Sequence, residues 1–283
     1  MRTLSVLGLQ TAPVPGDPAA TLDRLPERAR GALAVAPHGQ LLVLPELHLS
    51  APPLPLQPSA GHPERVAVDL PGTLTRRLGE LAAETGLWIV AGSVYERGAD
   101  GAVHNTTPVL APSGELAATY RKVFTWQPHE HCAPGRDFTT FDIPEIGRIG
   151  LAICYDASFP ETCRQLARMG AEVVVHVSLT TTSDRGAEIV LARANAIFNQ
   201  LYVVSINAAS PAGLGRSLIV DPEGLVRLQA GDGEELLTDV LDLDAVTRAR
   251  EHGTAGVSRL WDQAVRSAPA LGLRPQPAEA RSE

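Results

Sequence analysis

Short apolar runs alternate with longer amphipathic stretches along most of the chain. The apolar runs are rich in Val, Ile and Leu and have the length of β-strands, whereas the longer stretches repeat their apolar residues with helical spacing. The predicted strands are Thr3–Thr11, Leu41–Glu46, Leu87–Tyr95, Arg148–Asp156, Glu172–Ser178 and Tyr202–Asn207. The predicted helices are Pro18–Val35, Thr73–Thr85, Pro160–Met169 and Asp184–Gln200. This alternation predicts an α/β fold in which helices cover the sheets.

Two further segments have the pattern of antiparallel hairpins. Thr107–Leu110 and Leu116–Arg121 flank a Pro-Ser-Gly turn, and Ser217–Val220 and Leu225–Leu228 flank Asp-Pro-Glu-Gly. Both turns contain the residues that tight reversals require. We therefore expect hairpins inserted into the α/β alternation.

One domain accounts for this pattern, because neither a linker nor an internal repeat interrupts it. We predict a single domain over residues 1–265, followed by a tail over 266–283 that is rich in Ala, Pro, Arg and Glu. Pro52–Pro63 is predicted to be a Pro-rich loop within the domain. A domain of this size buries enough surface to be stable without a disulfide or a metal.

Composition and charge exclude several kinds of partner. The 283 residues are 44% hydrophobic and 20% charged, with a formal net charge of -8. An acidic chain is a poor ligand for nucleic acid or an anionic membrane. The N-terminal residues lack the apolar run of a signal peptide, and no stretch is long enough to span a bilayer. The odd number of cysteines, Cys132, Cys154 and Cys163, favours reduced thiols in the cytoplasm.

The segment around Cys154 is the clearest candidate for chemistry. An apolar strand from Arg148 leads directly into Cys154, and a short turn then precedes a helix that begins at Pro160. The thiol would therefore lie at the carboxyl end of a strand, where open α/β sheets bind ligands. Backbone N–H groups just after it could bind an oxyanion. Alternatively, Cys154 is a buried residue that packs as a small hydrophobe.

Two charged residues follow strands in the same manner. Glu46 ends an apolar strand after Pro45, and Lys122 closes the first predicted hairpin. A nucleophilic thiol needs a base and a group that stabilises charge, which these residues could supply. Taken singly, however, a glutamate after a strand or a lysine on a hairpin is more often a solvated surface charge.

Taken together, these blocks resemble the nitrilase, or carbon–nitrogen hydrolase, superfamily. The blocks are Pro45-Glu46, Tyr120-Arg121-Lys122 and Ile153-Cys154-Tyr155-Asp156, the last continued by Phe159-Pro160-Glu161. They occur in the family's order, and the resemblance extends from the first strand to about Trp261. It implies a four-layer α-β-β-α sandwich, a Glu46–Lys122–Cys154 triad, a homodimer and no cofactor. Three motifs in one order are far more specific than a single short motif.

The resemblance also implies a role for a second glutamate in the site. Different parts of the sequence resemble different branches of the superfamily. Glu130 matches the glutamate that relatives often carry between the lysine and the cysteine. Its distance along the chain from Lys122 is similar to that in aliphatic amidases. The run Cys-Tyr-Asp-x-x-Phe-Pro-Glu is closer to omega-amidases and carbamoylases.

The implied activity is hydrolysis of a small linear amide or an N-carbamoyl amine through a thioester on Cys154. Glu46 would act as general base and acid, while Lys122 and the backbone N–H of Tyr155 would stabilise the oxyanion. Trp126, Ser178 and Thr180 are expected to line the substrate pocket. Nitrile hydrolysis, acyl transfer and a catalytically inactive binding or scaffold protein remain alternatives.

The run His129-Glu130-His131-Cys132 contains metal-ligating residue types but does not favour a metal site. Imidazole and thiolate are zinc ligands, but neighbouring residues on a Pro-flanked loop rarely converge on one ion. His104, His176 and Cys163 are expected to be structural residues. We therefore expect neither a metal nor another cofactor.

Overall fold

The computed structural model of the chain describes residues 1–54 and 62–267. Within these ranges the helices are α1 Pro18–Val35, α2 His62–Val66, α3 Thr73–Thr85, α4 Pro160–Arg168, α5 Arg185–Asn199, α6 Asp244–His252 and α7 Leu260–Ser267. The strands are β1 Thr3–Gln10, β2 Leu41–Val43, β3 Trp88–Val90, β4 Val94–Arg97, β5 Val103–Leu110, β6 Leu116–Arg121, β7 Thr140–Ile143, β8 Gly147–Ile153, β9 Val173–Ser178, β10 Tyr202–Asn207, β11 Leu218–Val220, β12 Val226–Gln229 and β13 Glu235–Asp242.

These strands form two sheets, each with a parallel centre. In the first sheet the order is β13-β1-β2-β3-β5-β4, and β6 pairs with β5. In the second sheet the order is β12-β11-β10-β9-β8-β7. Strands β1, β2 and β3 run parallel in the first sheet, as do β8, β9 and β10 in the second. Their carboxyl ends can therefore meet at one edge of the molecule.

The two sheets pack face to face, and helices cover their outer faces. Apolar residues of both sheets, including Val43 and Val175, form one buried cluster between them. Leu25 of α1 and Leu78 of α3 are fully buried against the first sheet. Helices α4 and α5 pack against the second sheet in the same way, through residues such as Leu166. The predicted four-layer α-β-β-α sandwich is thus confirmed.

Three predicted strands are clearly shorter than expected, and the first of them, Leu41–Glu46, ends at Val43. The strand predicted over Leu87–Tyr95 is two strands, β3 and β4, interrupted at Gly92. Gly92 has a φ of 64°, and a Cβ there would lie 1.8 Å from the Pro45 carbonyl oxygen, so the chain needs glycine to pass so closely. The strand predicted over Arg148–Asp156 ends at Ile153, because Cys154 turns into a 3-10 helix.

The edges of the predicted domain fall partly outside the described residues. Of the predicted loop Pro52–Pro63, residues 55–61 lie outside them. Helix α7 reaches Ser267, two residues into the predicted tail, and the rest of that tail also lies outside the described ranges. Within those ranges, no helix has the combined length and apolar character that crossing a bilayer requires.

Candidate active site

Glu46 is held at the inner edge of the first sheet. It follows β2, whose direction continues because the Leu44 N–H donates to the Val90 carbonyl at 3.0 Å. The residue as a whole is 4% exposed. It accepts hydrogen bonds from Lys122 Nζ at 3.1 Å, from Asn105 Nδ2 at 2.9 Å and from the Leu179 N–H at 2.8 Å. Glu46 therefore links the first sheet to the chain that leaves β9 in the second.

Lys122 lies between two carboxylates. Its backbone is fixed where β6 ends, since its N–H donates to the Asn105 carbonyl at 2.8 Å. The buried ammonium donates to Glu46 at 3.1 Å and to Glu130 at 2.8 Å. An ammonium has three hydrogens, so these two bonds leave a third for a ligand.

Asn105 completes this group of side chains, although it is not among the residues predicted for the site. Its Nδ2 donates to Glu46 at 2.9 Å and to Glu130 at 2.8 Å, so one amide group holds both carboxylates. Glu130 also accepts the Trp126 N–H at 2.9 Å. A signal was present, because polar residues from His104 to Thr107 are consecutive and buried within β5. We call Glu46, Asn105, Lys122 and Glu130 the first cluster.

Cys154 stands where β8 turns into the 3-10 helix Cys154–Ser158. Its φ is 46°, a left-handed conformation that costs energy for a residue with a Cβ and is found at functional sites. The carbonyl oxygen of Cys154 accepts a hydrogen bond from His176 Nε2 at 2.9 Å. Tyr155 follows at the start of the turn, where backbone N–H groups have no partner within the helix itself.

Asp156 ties this turn to the chain on either side of Lys122. The carboxylate accepts hydrogen bonds from the Tyr120 hydroxyl at 2.8 Å, the Phe124 N–H at 2.8 Å and the Ile153 N–H at 2.9 Å. It is fully buried, and burial raises the pKa of Asp156 to about 6 despite these donors. One side chain thus fixes the cysteine and lysine segments relative to each other.

A separate buried ion pair, Arg185–Glu188, is connected to Cys154 through Thr180. Thr180 donates its hydroxyl hydrogen to Glu188, whose oxygens are 2.8 and 2.9 Å away. Arg185 contacts Glu188 at 2.9 Å and donates to the carbonyls of Gly215 at 3.1 Å and Arg216 at 2.8 Å. We call Thr180, Arg185 and Glu188 the second cluster. Because the Thr180 hydrogen is used, its oxygen faces Cys154 as an acceptor, with the sulfur at 3.9 Å.

His176 supports the nucleophile turn as a neutral imidazole. Since a carbonyl oxygen can only accept, the bond to Cys154 requires a hydrogen on Nε2, and Nδ1 then accepts from Ser205 at 3.1 Å. Burial lowers the pKa of His176 to about 4. The residue is buried and hydrogen-bonded within the structure, in the manner that the sequence analysis expected.

Two cavities meet at Cys154. One, of about 310 Å³, is lined by all three titratable residues of the first cluster, and the other, of about 350 Å³, is lined by Thr180 and Glu188. Trp126 lines both and is 38% exposed. The thiol can therefore be reached from both cavities, one lined by the first cluster and the other by residues of the second.

Most of the residues predicted for the site lie on these cavities. Glu46, Lys122, Glu130, Cys154 and Trp126 line the first, while Tyr155 and Thr180 line the second.

Ser178 is the exception among the predicted pocket residues. It is fully buried, and its hydroxyl is 3.0 Å from His176 Nε2. Its carbonyl accepts the Glu46 N–H at 3.3 Å. The side chain of Ser178 shares a face of β9 with His176, since residues two apart on a strand point to the same side, and neither residue lines either cavity.

Burial and mutual charge set the protonation of the site. Burial raises the pKa of Glu46 above its usual value, although Lys122 opposes the rise. Burial would also raise the pKa of Glu130, but the charge and hydrogen bond of Lys122 hold it below its usual value. Burial tends to lower the pKa of Lys122, and the two carboxylates more than reverse this. Burial, reinforced by Glu46, raises the pKa of the Cys154 thiol well above its usual value. The resting cysteine is therefore a neutral thiol beside an acceptor of raised basicity.

No metal-binding arrangement of three or more His, Cys, Asp or Glu side chains exists among the residues that the structure describes. His129 instead packs against Trp126, with ring centres 4.4 Å apart. All three cysteines are free, and Cys163 is buried on α4.

Comparisons with known proteins agree on one family. Residues 4–251 match the model of the carbon–nitrogen hydrolase family. The chain is 34% identical to the omega-amidase NIT2 of Mus musculus over 202 residues, which cover 65% of this chain and 72% of that protein.

Solved structures show the same fold. The crystal structure of Nit3 from Saccharomyces cerevisiae, a member of the nitrilase superfamily, superimposes with a TM-score of 0.80 at 29% identity, covering 88% of this chain and 94% of that one. A cysteine-to-alanine mutant of the amidase from Nesterenkonia sp. AN1, in complex with butyramide, has a TM-score of 0.72 at 25% identity, with 87% and 94% covered. The chain is thus a hydrolase that belongs to the carbon–nitrogen hydrolase family, within the nitrilase superfamily.

Proposed function

We propose that this hydrolase cleaves the carbon–nitrogen bond of small linear amides through a thioester on Cys154. One observation carries the proposal: a buried lysine between two carboxylates lines the same cavity as a thiol on a strained turn. The butyramide bound to the Nesterenkonia amidase supports a short, uncharged amide as the type of substrate.

Acylation begins with a neutral thiol. Glu46, with its raised pKa, accepts the Cys154 proton as the sulfur forms a bond with the amide carbonyl carbon. The carbonyl oxygen becomes an oxyanion, which the third hydrogen of Lys122 and the N–H of Tyr155 stabilise. Each such donor contributes roughly 2.7–4 kcal/mol to the transition state in comparable acyl-transfer enzymes.

Collapse of the tetrahedral intermediate breaks the carbon–nitrogen bond. Glu46 returns its proton to the nitrogen, and ammonia or an amine leaves. Glu46 is then a carboxylate again and takes a proton from water, whose oxygen attacks the thioester. The carbon–sulfur bond breaks, the acid is released, and the proton returns to Cys154.

Glu130 and Asn105 act in this scheme through Lys122. Glu130 and Glu46 together keep the lysine charged despite its burial. Asn105 holds the two carboxylates in place around it. Their function is to keep the ammonium aimed at the oxyanion.

The same thioester chemistry could begin from an N-carbamoyl amine or a nitrile, or end in acyl transfer to an amine. The family match favours each of these hydrolase or transferase activities over an inactive scaffold. Ammonia release from paired amide and nitrile substrates distinguishes amide hydrolysis from nitrile hydrolysis. Hydroxamate formation with added hydroxylamine detects acyl transfer.

The test compares ammonia release from butyramide by the wild-type protein, Cys154→Ala and Cys163→Ala. We expect Cys154→Ala to lose activity by at least about 10³-fold, since the nucleophile acts as one unit with its base. Cys163, buried on α4 against the second sheet, provides a matched control that should keep activity within about tenfold. Near-normal turnover by Cys154→Ala would overturn the thioester mechanism.

A further inference from the structure

The cavities around Cys154 have a charge pattern that bears on the choice of substrate. We infer that they select amides whose far end is neutral or positively charged and reject amides that end in a carboxylate. This inference rests on the proposed amidase function and adds the charge class of the substrate.

Carboxylates lie on both sides of the thiol. Glu46 and Glu130 line the first cavity, and Asp184 and Glu188 line the second. Asp184 is exposed at the start of α5, where it accepts a hydrogen bond from Thr182 at 3.0 Å. A substrate that fills either cavity therefore extends toward negative charge.

The lysine and the arginine of the two clusters already have carboxylate partners, and the imidazoles of His129 and His131 also line the first cavity. Among the described residues that line the cavities, Lys122 is the one lysine or arginine, and it carries two carboxylate partners. Arg185 is fully buried behind Glu188. Its guanidinium nitrogens bond Glu188 and the carbonyls of Gly215 and Arg216. The sequence of residues 55–61, Pro-Leu-Gln-Pro-Ser-Ala-Gly, adds no charged side chain.

A carboxylate at the far end of a substrate would lose hydration without meeting, among the described lining residues, a lysine or arginine that is free to pair with it. An ion removed from water is stabilised only when it is paired and hydrogen-bonded. Here it would also face carboxylates of the same sign, which is how binding sites exclude wrong partners. A neutral end avoids both costs, and an ammonium end can donate to Asp184.

The experiment compares three amides of equal length at about pH 8, where an ordinary imidazole is neutral. These are pentanamide, its carboxylate analogue glutaramate and its ammonium analogue 4-aminobutanamide. We expect kcat/KM for glutaramate to be at least about tenfold below that for pentanamide. The value for 4-aminobutanamide should equal or exceed that for pentanamide.

Two variants with the same change in charge, one at the cavity and one distant from it, test whether charge at the cavity causes the discrimination between substrates. Asp184→Lys should raise the glutaramate-to-pentanamide ratio of kcat/KM by at least about fivefold, because it removes a repulsive charge and adds an attractive one. Glu27→Lys makes the same charge change on an exposed position of α1, which covers the first sheet, and should leave the ratio unchanged within about twofold.

The outcomes distinguish a failure of the charge inference from a failure of the proposed amidase function. Turnover of glutaramate that equals or exceeds that of pentanamide would overturn the charge inference alone, as would equal effects of the two lysine variants. Failure to release ammonia from all three amides would overturn the proposed function as well.

Discussion

The two clusters beside Cys154 are both buried ion pairs, yet their hydrogen bonding differs. In the first cluster, one ammonium serves two carboxylates and keeps a hydrogen for a ligand. In the second, one guanidinium serves one carboxylate, and its other donors bond the backbone carbonyls of Gly215 and Arg216. The first cluster also has an acceptor with a raised pKa, Glu46.

Because of this difference, the first cluster is suited to proton transfer and the second to stabilising the structure. Charge in the first cluster can redistribute, because a carboxylate can be protonated while Lys122 keeps another partner. The second cluster lacks a second carboxylate, since the other acceptors around Arg185 are the carbonyls of Gly215 and Arg216 and the hydroxyl of Ser205. The comparison predicts that removing Lys122 from the first cluster mainly lowers activity. Removing Arg185 from the second cluster should mainly lower stability.

The largest effect is expected for Lys122→Met in the first cluster. The variant removes a donor from the proposed oxyanion site and leaves Glu46 and Glu130 without their cation, so kcat/KM on butyramide should fall by at least about 10³-fold. Ammonia release from protein shown to be folded by circular dichroism provides the measurement. A loss smaller than tenfold would remove Lys122 from the proposed mechanism.

Arg185→Met makes the matched change in the second cluster. It leaves Glu188 buried without its cation, so the free energy of unfolding should fall by about 3–5 kcal/mol. Below the melting temperature, kcat/KM of the folded protein should fall by less than about tenfold. Urea denaturation of the variant and of the wild type measures the change.

The double variant Arg185→Met/Glu188→Leu provides the control for that change. Replacing a whole buried ion pair by apolar side chains is often neutral, so the double variant should recover at least about half of the lost stability. A double variant as unstable as Arg185→Met alone would show that packing, not the unpaired carboxylate, causes the loss.

A smaller effect is expected from His176, which connects Cys154 to the second cluster through Ser205. Its pKa is about 4 when folded and near ~6.5 when unfolded, so the unfolded chain binds more protons between these values. The contribution of His176 to the free energy of unfolding is complete above the pKa of the unfolded state. It is lost as the pH falls toward the pKa of the folded state. Between pH ~7 and pH ~5 the loss should be about 2 kcal/mol.

His176→Gln tests this pH dependence, because glutamine can still donate to the Cys154 carbonyl but does not titrate. Its free energy of unfolding should fall less steeply than that of the wild type over the same range of pH. Parallel profiles for the two proteins would show that His176 is not the group that titrates.

Much of the fold followed from the apolar pattern, since most of the predicted strands and helices appear close to their expected bounds. The pattern could not show that Gly92 interrupts a strand, because the cause is a contact with the Pro45 carbonyl from another part of the chain. It also missed β13, whose burial alternates irregularly because it pairs only with β1 at the edge of a sheet.

In the candidate site, too, some residues could be predicted from the sequence and others could not. Glu46, Lys122 and Cys154 could be chosen because each follows a strand and because their motifs resemble one family. Asn105 could be indicated only by the run of polar residues in β5, because its partners Glu46 and Glu130 are distant in the sequence. Glu188 has no motif, although its partners Thr180 and Arg185 are close in the sequence. The resemblance places Ser178 in the pocket because its segment follows the strand beside the nucleophile, but its side chain is fully buried and lines neither cavity.

The hydrogen bonds of Asp156 have a consequence for how this protein responds to heat. Tyr120 and Phe124 flank the lysine, and Ile153 precedes the cysteine, so one carboxylate clamps both segments. Loosening of that clamp would displace the two segments together. The protein should therefore pass directly from fully active to inactive on warming, without a form in which one segment has moved and the other still works.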